Sequence, residues 1–440
     1  MVFQNNVLAG GAGGSGTTGY TIDQSIRFND NDSPYMYRSF SGAGDLQKAT
    51  MSCWLKMGNI STNKGIFTFI SDKPLELDSN NNLKVHAFGS NRLITDREFR
   101  DPAAWYHIVL SIDSTQAAST ERIRLYVNGQ RETSFSTESY PSQNANGSWW
   151  SSNFFQIGRT YGTSNYMDGY LAEIVYIDGT RLDPSSFGEY NSSGIWIPKD
   201  VSGLTFGTNG FYLKGADSSA LGTDSSGNGS NFTTSGLAAD DKKIDSPTNN
   251  HATWSPITGS AQVYSNGNLN AATASSAWKG GFTTIQVPLN SGTWYYEMYI
   301  DSAGSSSGQF SIGWSESDRS LTDDNSYGDT QGWVTYAING KTYNNAASTV
   351  SYGATYTTGD VIGCKIDTDT SSNNITFYKN GASQGNLSEA FNGGTTGFIS
   401  PYILLYGTRN ATARFAQAEW TQTPSGITEA NAINTTNLGS

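Results

Sequence analysis

Glu76, Leu77 and Asp78 open the spelling Glu-x-Asp-x-Glu or Glu-x-Asp-x-x-Glu, which sets one carboxylate to attack a sugar carbon while a second donates a proton from close by. Asn80 and Asn81 stand where the closing acid belongs, so the pair is incomplete. Gly304-Ser305-Ser306-Ser307-Gly308 has the spelling of a nucleophile elbow. An elbow needs a strand before it and a helix after it, whereas the strand-like residues Phe310 to Trp314 follow here, which predicts a hairpin loop. His86, His107 and His251 are scattered, with no Cys or His at ligand spacing, so a transition-metal site has little to draw on. His107 sits in a strand pattern and reads as packed or hydrogen-bonded. Asp224, Ser226, Asn228 and Gly229 imitate the first half of a calcium loop, but the twelfth position is Ser235 in place of the bidentate Glu such a loop needs. The sequence therefore predicts no catalytic residue, no metal site and no cofactor.

Binding asks for a different set. An aromatic ring stacks on the apolar face of a sugar while neighbouring amides and carboxylates satisfy its hydroxyls. Trp149 and Trp150, Tyr161 and Tyr166, Trp278, and Trp333 with Tyr336 lie in stretches rich in Asn, Asp, Gly, Ser or Thr that read as loops. The competing use of such a ring is to cap the core or to touch a neighbouring subunit.

Alternating strands must carry these residues. Ile362, Cys364 and Ile366 alternate with polar neighbours, and Ile375 and Phe377 do so again up to Asn380-Gly381, which is a hairpin signature. Ile123, Leu125 and Val127 repeat it up to Asn128-Gly129. Met51, Cys53 and Leu55 share a predicted face, as do Tyr106, Ile108, Leu110 and Ile112, and then Leu171, Glu173, Val175 and Ile177. With 49 Gly, 12% aromatic and 15% charged residues in 440, the chain reads as all-β, and its length as two or three domains. We expect an arm over 1–19, a sandwich over 20–198, and a connection over 199–250 in which Phe211 to Leu213 adds a strand. A second sandwich over 251–420 and a Thr/Asn/Ala-rich surface tail over 421–440 complete the expected division. The arm reads equally as a docking segment or a frayed end.

A net charge of -12 without a basic block excludes a phosphate-neutralising surface, so nucleic acid is not an expected partner. The opening MVFQNNVLAGGAGGSGTTGY lacks the basic flank and apolar core of a signal peptide or span, so no membrane is expected either. Cys53 and Cys364, the two cysteines, fall in different halves and read as free, buried small hydrophobes.

Residues 25–38 (SIRFNDNDSPYMYR), 49–57 (ATMSCWLKM), 105–113 (WYHIVLSID), 124–129 (RLYVNG) and 168–183 (DGYLAEIVYIDGTRLD) resemble the laminin G-like, concanavalin A-like jelly roll. That family often has an acidic pair where this chain has Ala172-Glu173, so a calcium ion is not carried over. Residues 291–302 (SGTWYYEMYIDS), 310–317 (FSIGWSES), 359–369 (GDVIGCKIDTD), 375–385 (ITFYKNGASQG) and 399–407 (ISPYILLYG) resemble a SPRY domain, a bent β-sandwich that binds partners through its loops. FQNNVL, the glycine run, YTIDQSIRFNDNDSPYMYR, LGTDSSGNGSNFT and DSPTNN together resemble structural proteins of tailed bacteriophages, their tail and head appendages above all. That resemblance implies a virion location, an anchoring arm with Phe3, Val7 and Leu8, other virion proteins as partners, and a homo-oligomer. Its expected activity is non-enzymatic protein-to-protein contact with displayed binding loops. The alternatives are a receptor-binding protein that holds host-surface glycan and, third, a capsule depolymerase.

Overall fold

The computed structural model describes residues 19–40, 42–147, 154–162, 164–259, 262–304, 310–316, 332–344, 349–369, 373–389 and 397–438. Among these, the strands pair antiparallel, and the one α-helix is the four-residue Thr435–Leu438. No helix among them is long and apolar enough to cross a membrane. The chain is all-β and divides into two compact units between Asn249 and Asn250.

The first unit is a sandwich of two sheets. One runs Gln130–Arg131, Ile123–Val127, Trp105–Asp113, Lys48–Met57, Gly169–Asp178, Ser25–Phe28, Lys242–Lys243, with Phe211–Leu213 also paired to Gly169–Asp178. The other runs Phe135–Glu138, Ser90–Glu98, Asn82–Ala87, Lys73–Leu77, Lys64–Phe69, Phe154–Ile157, Tyr35–Ser39, Thr233–Ser235. Met51, Cys53 and Leu55 of the first sheet face Phe67, Phe69 and Phe155 of the second in one core. The hairpin signature has its expected cause: Asn128 and Gly129 take φ of 48° and 77°, the left-handed pair that a tight two-residue turn requires. The Asn128 side chain then accepts the His107 backbone N–H at 2.8 Å, tying the turn to the next strand.

Alternation fails at one predicted place. Leu171, Ile174 and Tyr176 enter the core, while Val175 and Ile177 face the other way, so the expected shared face of Leu171, Glu173, Val175 and Ile177 does not form. Glu173 is the cause: it takes φ of 50°, and the pairing register shifts between Ala172 and Val175, which is a bulge that re-aims every residue after it. Its carboxylate turns away from the core and accepts from the hydroxyls of Tyr212 and, at 3.4 Å, Tyr20. Burial pushes its pKa up to about 7.

Residues 199–249 correct the expected connection. They add strands to both sheets, and Leu221 and Phe232 join the core. The loop that imitates a calcium site is closed by its own aspartate: Asp224 accepts backbone N–H groups of Tyr212 (2.9 Å), Ser226 (2.9 Å) and Ser230 (2.8 Å).

In the second unit one sheet runs Trp254–Gly259, Lys279–Thr283, Phe398–Leu405, Phe310–Glu316, Trp333–Ala337, Lys341–Asn344, Thr349–Ser351. Its partner runs Val263–Ser265, Asn270–Thr273, Arg409–Arg414, Thr293–Ser302, Val361–Asp367, Asn373–Lys379, Ala382–Glu389. Tyr296, Met298, Ile312, Trp314, Ile362 and Phe377 meet between them. Asn380-Gly381 repeats the left-handed pair, with φ of 48° and 81°. The expected surface tail is corrected as well, since Ile427, Ala432 and Ile433 are buried. Buried Glu297 accepts the backbone N–H of Thr421 (2.8 Å) and Gln422 (2.9 Å), and Ala252 donates to the Ile433 carbonyl at 2.9 Å.

A carboxyl whose folded pKa lies above its unfolded value binds extra protons in the folded state, so its charging costs stability as pH rises through that window. For Glu173 the window runs from about pH 4.5 to about 7. We expect the stability of Glu173→Gln relative to the wild type to gain roughly 2 kcal/mol between pH 5 and pH 8, measured by denaturant unfolding at both. An unchanged difference would mean that Glu173 does not titrate there.

Candidate functional site

On the second sheet of the first unit, Met36, Phe155 and Ile157 point into the core, so their neighbours in sequence point outward. The outward residues include Tyr35 and Tyr37 on one strand and Phe154 and Gln156 on the next, in register: Tyr37 lies opposite Gln156 and Ser39 opposite Phe154. The rings are contiguous. Tyr35 and Tyr37 have centroids 5.6 Å apart, Tyr37 and Phe154 5.9 Å, and Phe154 and Tyr161 6.2 Å. Tyr35, Tyr37 and Phe154 are half-buried, and Tyr161 is 49% exposed.

Tyr161 comes from the excursion after Ile157, which crosses the sheet at Gly65. A side chain there would meet the Arg159 backbone at 2.2 Å, so only glycine lets this segment lie so close. The same excursion places the Arg159 guanidinium 3.4 Å from the Tyr35 ring centroid and 5.9 Å from that of Tyr166. The Gln156 carboxamide oxygen accepts from Arg159 Nε (3.3 Å) and Nη2 (2.8 Å), and Arg159 Nη1 donates to the Tyr166 hydroxyl at 3.4 Å. Four rings and a guanidinium held by the buried Gln156 carboxamide thus share one outward face, a combination that can hold a ligand with an apolar face and a hydroxylated rim.

Glu76 also points outward, between the core residues Leu75 and Leu77, and its carboxylate meets Lys84 Nζ at 2.7 Å. Asp78 instead closes the following turn, accepting the N–H groups of Asn80 (2.8 Å) and Asn82 (3.0 Å). Among the described residues, no three His, Cys, Asp or Glu side chains converge as metal ligands. His86 pairs with Asp72 at 3.2 Å, and His251 with Glu429 at 3.0 Å. His107 is packed and bonded: Trp196 Nε1 donates to its Nδ1 at 3.0 Å, which leaves the proton on Nε2 to be donated to Ser52 Oγ at 2.9 Å. Burial pushes its pKa down to about 3, so it stays neutral.

Of the aromatic residues singled out by sequence, Tyr161 and Tyr166 join this face. Tyr35, Tyr37, Phe154 and Arg159 were not among the predicted set. Trp278 belongs to the second unit, half-buried against Tyr406 with centroids 5.4 Å apart. Tyr336 is a correction: it lies in the strand Trp333–Ala337, fully buried, packed on Tyr352, Tyr356 and Phe377 at 5.2–5.5 Å, with its hydroxyl donating to the Ala354 carbonyl. No ligand reaches such a ring. Trp333 starts the same strand, and its side chain lies outside the described residues, as do Trp149, Trp150, Phe3, Val7, Leu8 and the serines of the elbow spelling.

Residues 24–183 match the concanavalin A-like lectin/glucanases superfamily, and residues 293–418 match the SPRY domain, so the chain carries one domain of each kind. No curated protein matches it. Two similar solved structures are a human SPRY domain and the SPRY domain of human HERC1. Each is 20% identical and covers 36% of this chain and 96% of its own, with TM-scores of 0.30 and 0.31. A third, a candidate carbohydrate-binding protein of Bacteroides ovatus, is 17% identical, with a TM-score of 0.33, over 49% of this chain and 58% of that one. This chain thus spans less than two thirds of that protein's length.

The two classes of aromatic separate by stability. Tyr336→Ala empties a core position and should cost roughly 3–5 kcal/mol in the second unit's unfolding transition. Tyr161→Ala should leave stability within about 0.5 kcal/mol, as an exposed side chain does. Thermal and denaturant unfolding of the two variants measures both.

Proposed function

We propose that this chain is a carbohydrate-binding protein that holds its ligand on the outward face of the first unit's second sheet and breaks no bond in it. The observation that carries this reading is the contiguous row Tyr35, Tyr37, Phe154 and Tyr161 beside Arg159, whose guanidinium the buried Gln156 carboxamide holds. Ring faces and edges take the C–H surface of a pyranose, while the guanidinium and the phenol hydroxyls pair with its hydroxyls. The lectin/glucanase match over residues 24–183 supports the same reading. A net charge of -12 favours neutral over polyanionic sugars by long-range repulsion. The pairing of Glu76 with Lys84 supports binding over hydrolysis, because that carboxylate already has a cation to hold.

The whole-chain resemblance to phage appendage proteins extends this proposal to a homo-oligomer displayed on a virion, with the SPRY domain supplying contacts to other virion proteins and the sugar belonging to the host surface. Immunogold labelling of purified particles tests that extension separately from binding.

On a glycan array the purified chain should retain a neutral oligosaccharide, and Tyr37→Ala and Tyr161→Ala should each weaken that binding by about tenfold, roughly 1.4 kcal/mol, with circular dichroism unchanged. Reducing ends should not accumulate when the chain is incubated with the retained sugar. Equal affinity in both variants removes this face from the proposal, and released reducing sugar revives the hydrolase reading.

A further inference from the structure

In the first unit Lys56 and Asp245 meet at 2.7 Å, Nζ to Oδ2, although 189 positions separate them. The Lys56 side chain has no exposed surface, and that of Asp245 keeps 8%. The ring of Tyr170 lies 5.6 Å from Nζ, and Trp105 Nε1 donates to the other carboxylate oxygen, Oδ1, at 3.2 Å. Asp101, steadied by the Ala103 N–H at 2.9 Å, is the second carboxyl group that acts electrostatically on Lys56. Burial disfavours charge here, pushing the Lys56 pKa down and that of Asp101 up. Amine and carboxylate are thus held in contact in a site that is almost dry.

We propose that Lys56 and Asp245 condense to an intramolecular isopeptide bond. The proton on Nζ first passes to Oδ2 along the 2.7 Å contact, leaving a neutral amine and acid. The Nζ lone pair then attacks Cγ, and the Trp105 indole N–H, already on Oδ1, stabilises the charge that develops there. The proton that Nζ sheds on attack passes to the Oδ2 hydroxyl across the same contact, and that oxygen departs as water. One N–C bond forms, one C–O bond breaks, one water leaves, and nothing is oxidised or reduced. Holding amine and acid in contact supplies the effective concentration that free lysine and aspartate lack. The product joins the central strand Lys48–Met57 to the segment just after Lys242–Lys243, closing most of the unit into one covalent loop and narrowing its unfolded ensemble as a long-range cross-link does.

Intact-mass spectrometry of the full chain under denaturing conditions tests this. The wild type should be lighter than its sequence by one water, and proteolysis should release a branched peptide joining Lys56 to Asp245. Lys56→Met and Asp245→Ala should each show their own full sequence mass. A wild-type chain at full sequence mass, shown folded by circular dichroism, overturns the proposal. So does a lost water that maps elsewhere, such as a succinimide at Asp178-Gly179.

Discussion

A sheet buried on both faces must find partners for the polar side chains it points away from the core, and the first unit is built around that constraint. All ten residues of Gly169–Asp178 and nine of the ten in Lys48–Met57 are buried, so half of these side chains leave the core and still do not reach water. An unpaired polar group in such a place costs free energy comparable to a lost hydrogen bond or more. Here each finds a specific partner. Arg27 takes Asp240 and Asp241, Lys56 takes Asp245, His107 lies between Ser52 and Trp196, and Glu173 accepts from Tyr212 and Tyr20. Apart from Ser52 and Tyr20, these partners come from residues 196–245, the stretch that folds back over the sheet.

The opposite sheet is covered on both faces only at its middle, where every residue of Lys64–Phe69 is buried, whereas the outer strands keep half-buried outward residues, and the proposed binding face lies at one of them. Asn82–Ala87 alternates between half-buried and buried residues, and Tyr35–Ser39 has a single buried residue, Met36. One face of this sheet is paid for by the core, and at those strands the other is free to carry rings that stay partly wet. Tyr35, Tyr37 and Phe154 stand on paired strands, so in the proposed binding mode these three rings are positioned before a ligand arrives, and little ordering cost is left for them.

The strands were legible in the sequence because period-two alternation and the Asn-Gly turns are local signals, and both left-handed pairs formed where the residues require them. Alternation broke at Glu173 because a bulge costs one residue of register, and no local pattern marks the residue that takes positive φ. The candidate site was half legible. Tyr161 and Tyr166 stood out among Gly, Ser and Asn, whereas Tyr35, Tyr37 and Phe154 read as ordinary strand aromatics. Telling a strand ring that faces solvent from one that faces the core requires knowing which sheet has a second cover, a long-range property. Tyr336 fails in the reverse direction. Its Gly- and Asn-containing surroundings suggest a loop, yet the pairing of Ile312 with Tyr336 draws it into the core.

Both units close themselves with chain that follows their strands, and in both the composition of that chain is misleading. Residues 199–249 are rich in Ser, Gly and Asn, and residues 421–438 in Thr, Asn and Ala, compositions that ordinarily mark linkers. Covering a sheet does not require many large apolar side chains when the sheet itself presents carboxylates. Glu297 gathers the backbone N–H groups of Thr421 and Gln422, Asp178 gathers those of Asp45 (2.7 Å) and Asn209 (3.0 Å), and small residues let the backbone approach closely enough to be gathered. A few apolar anchors, Leu221 and Phe232 in one unit and Ile427 and Ile433 in the other, then seat the segment. The polar, flexible-looking composition is what allows backbone to serve as the partner of buried charge, so the segments that look dispensable in the sequence are those that permit a doubly buried sheet.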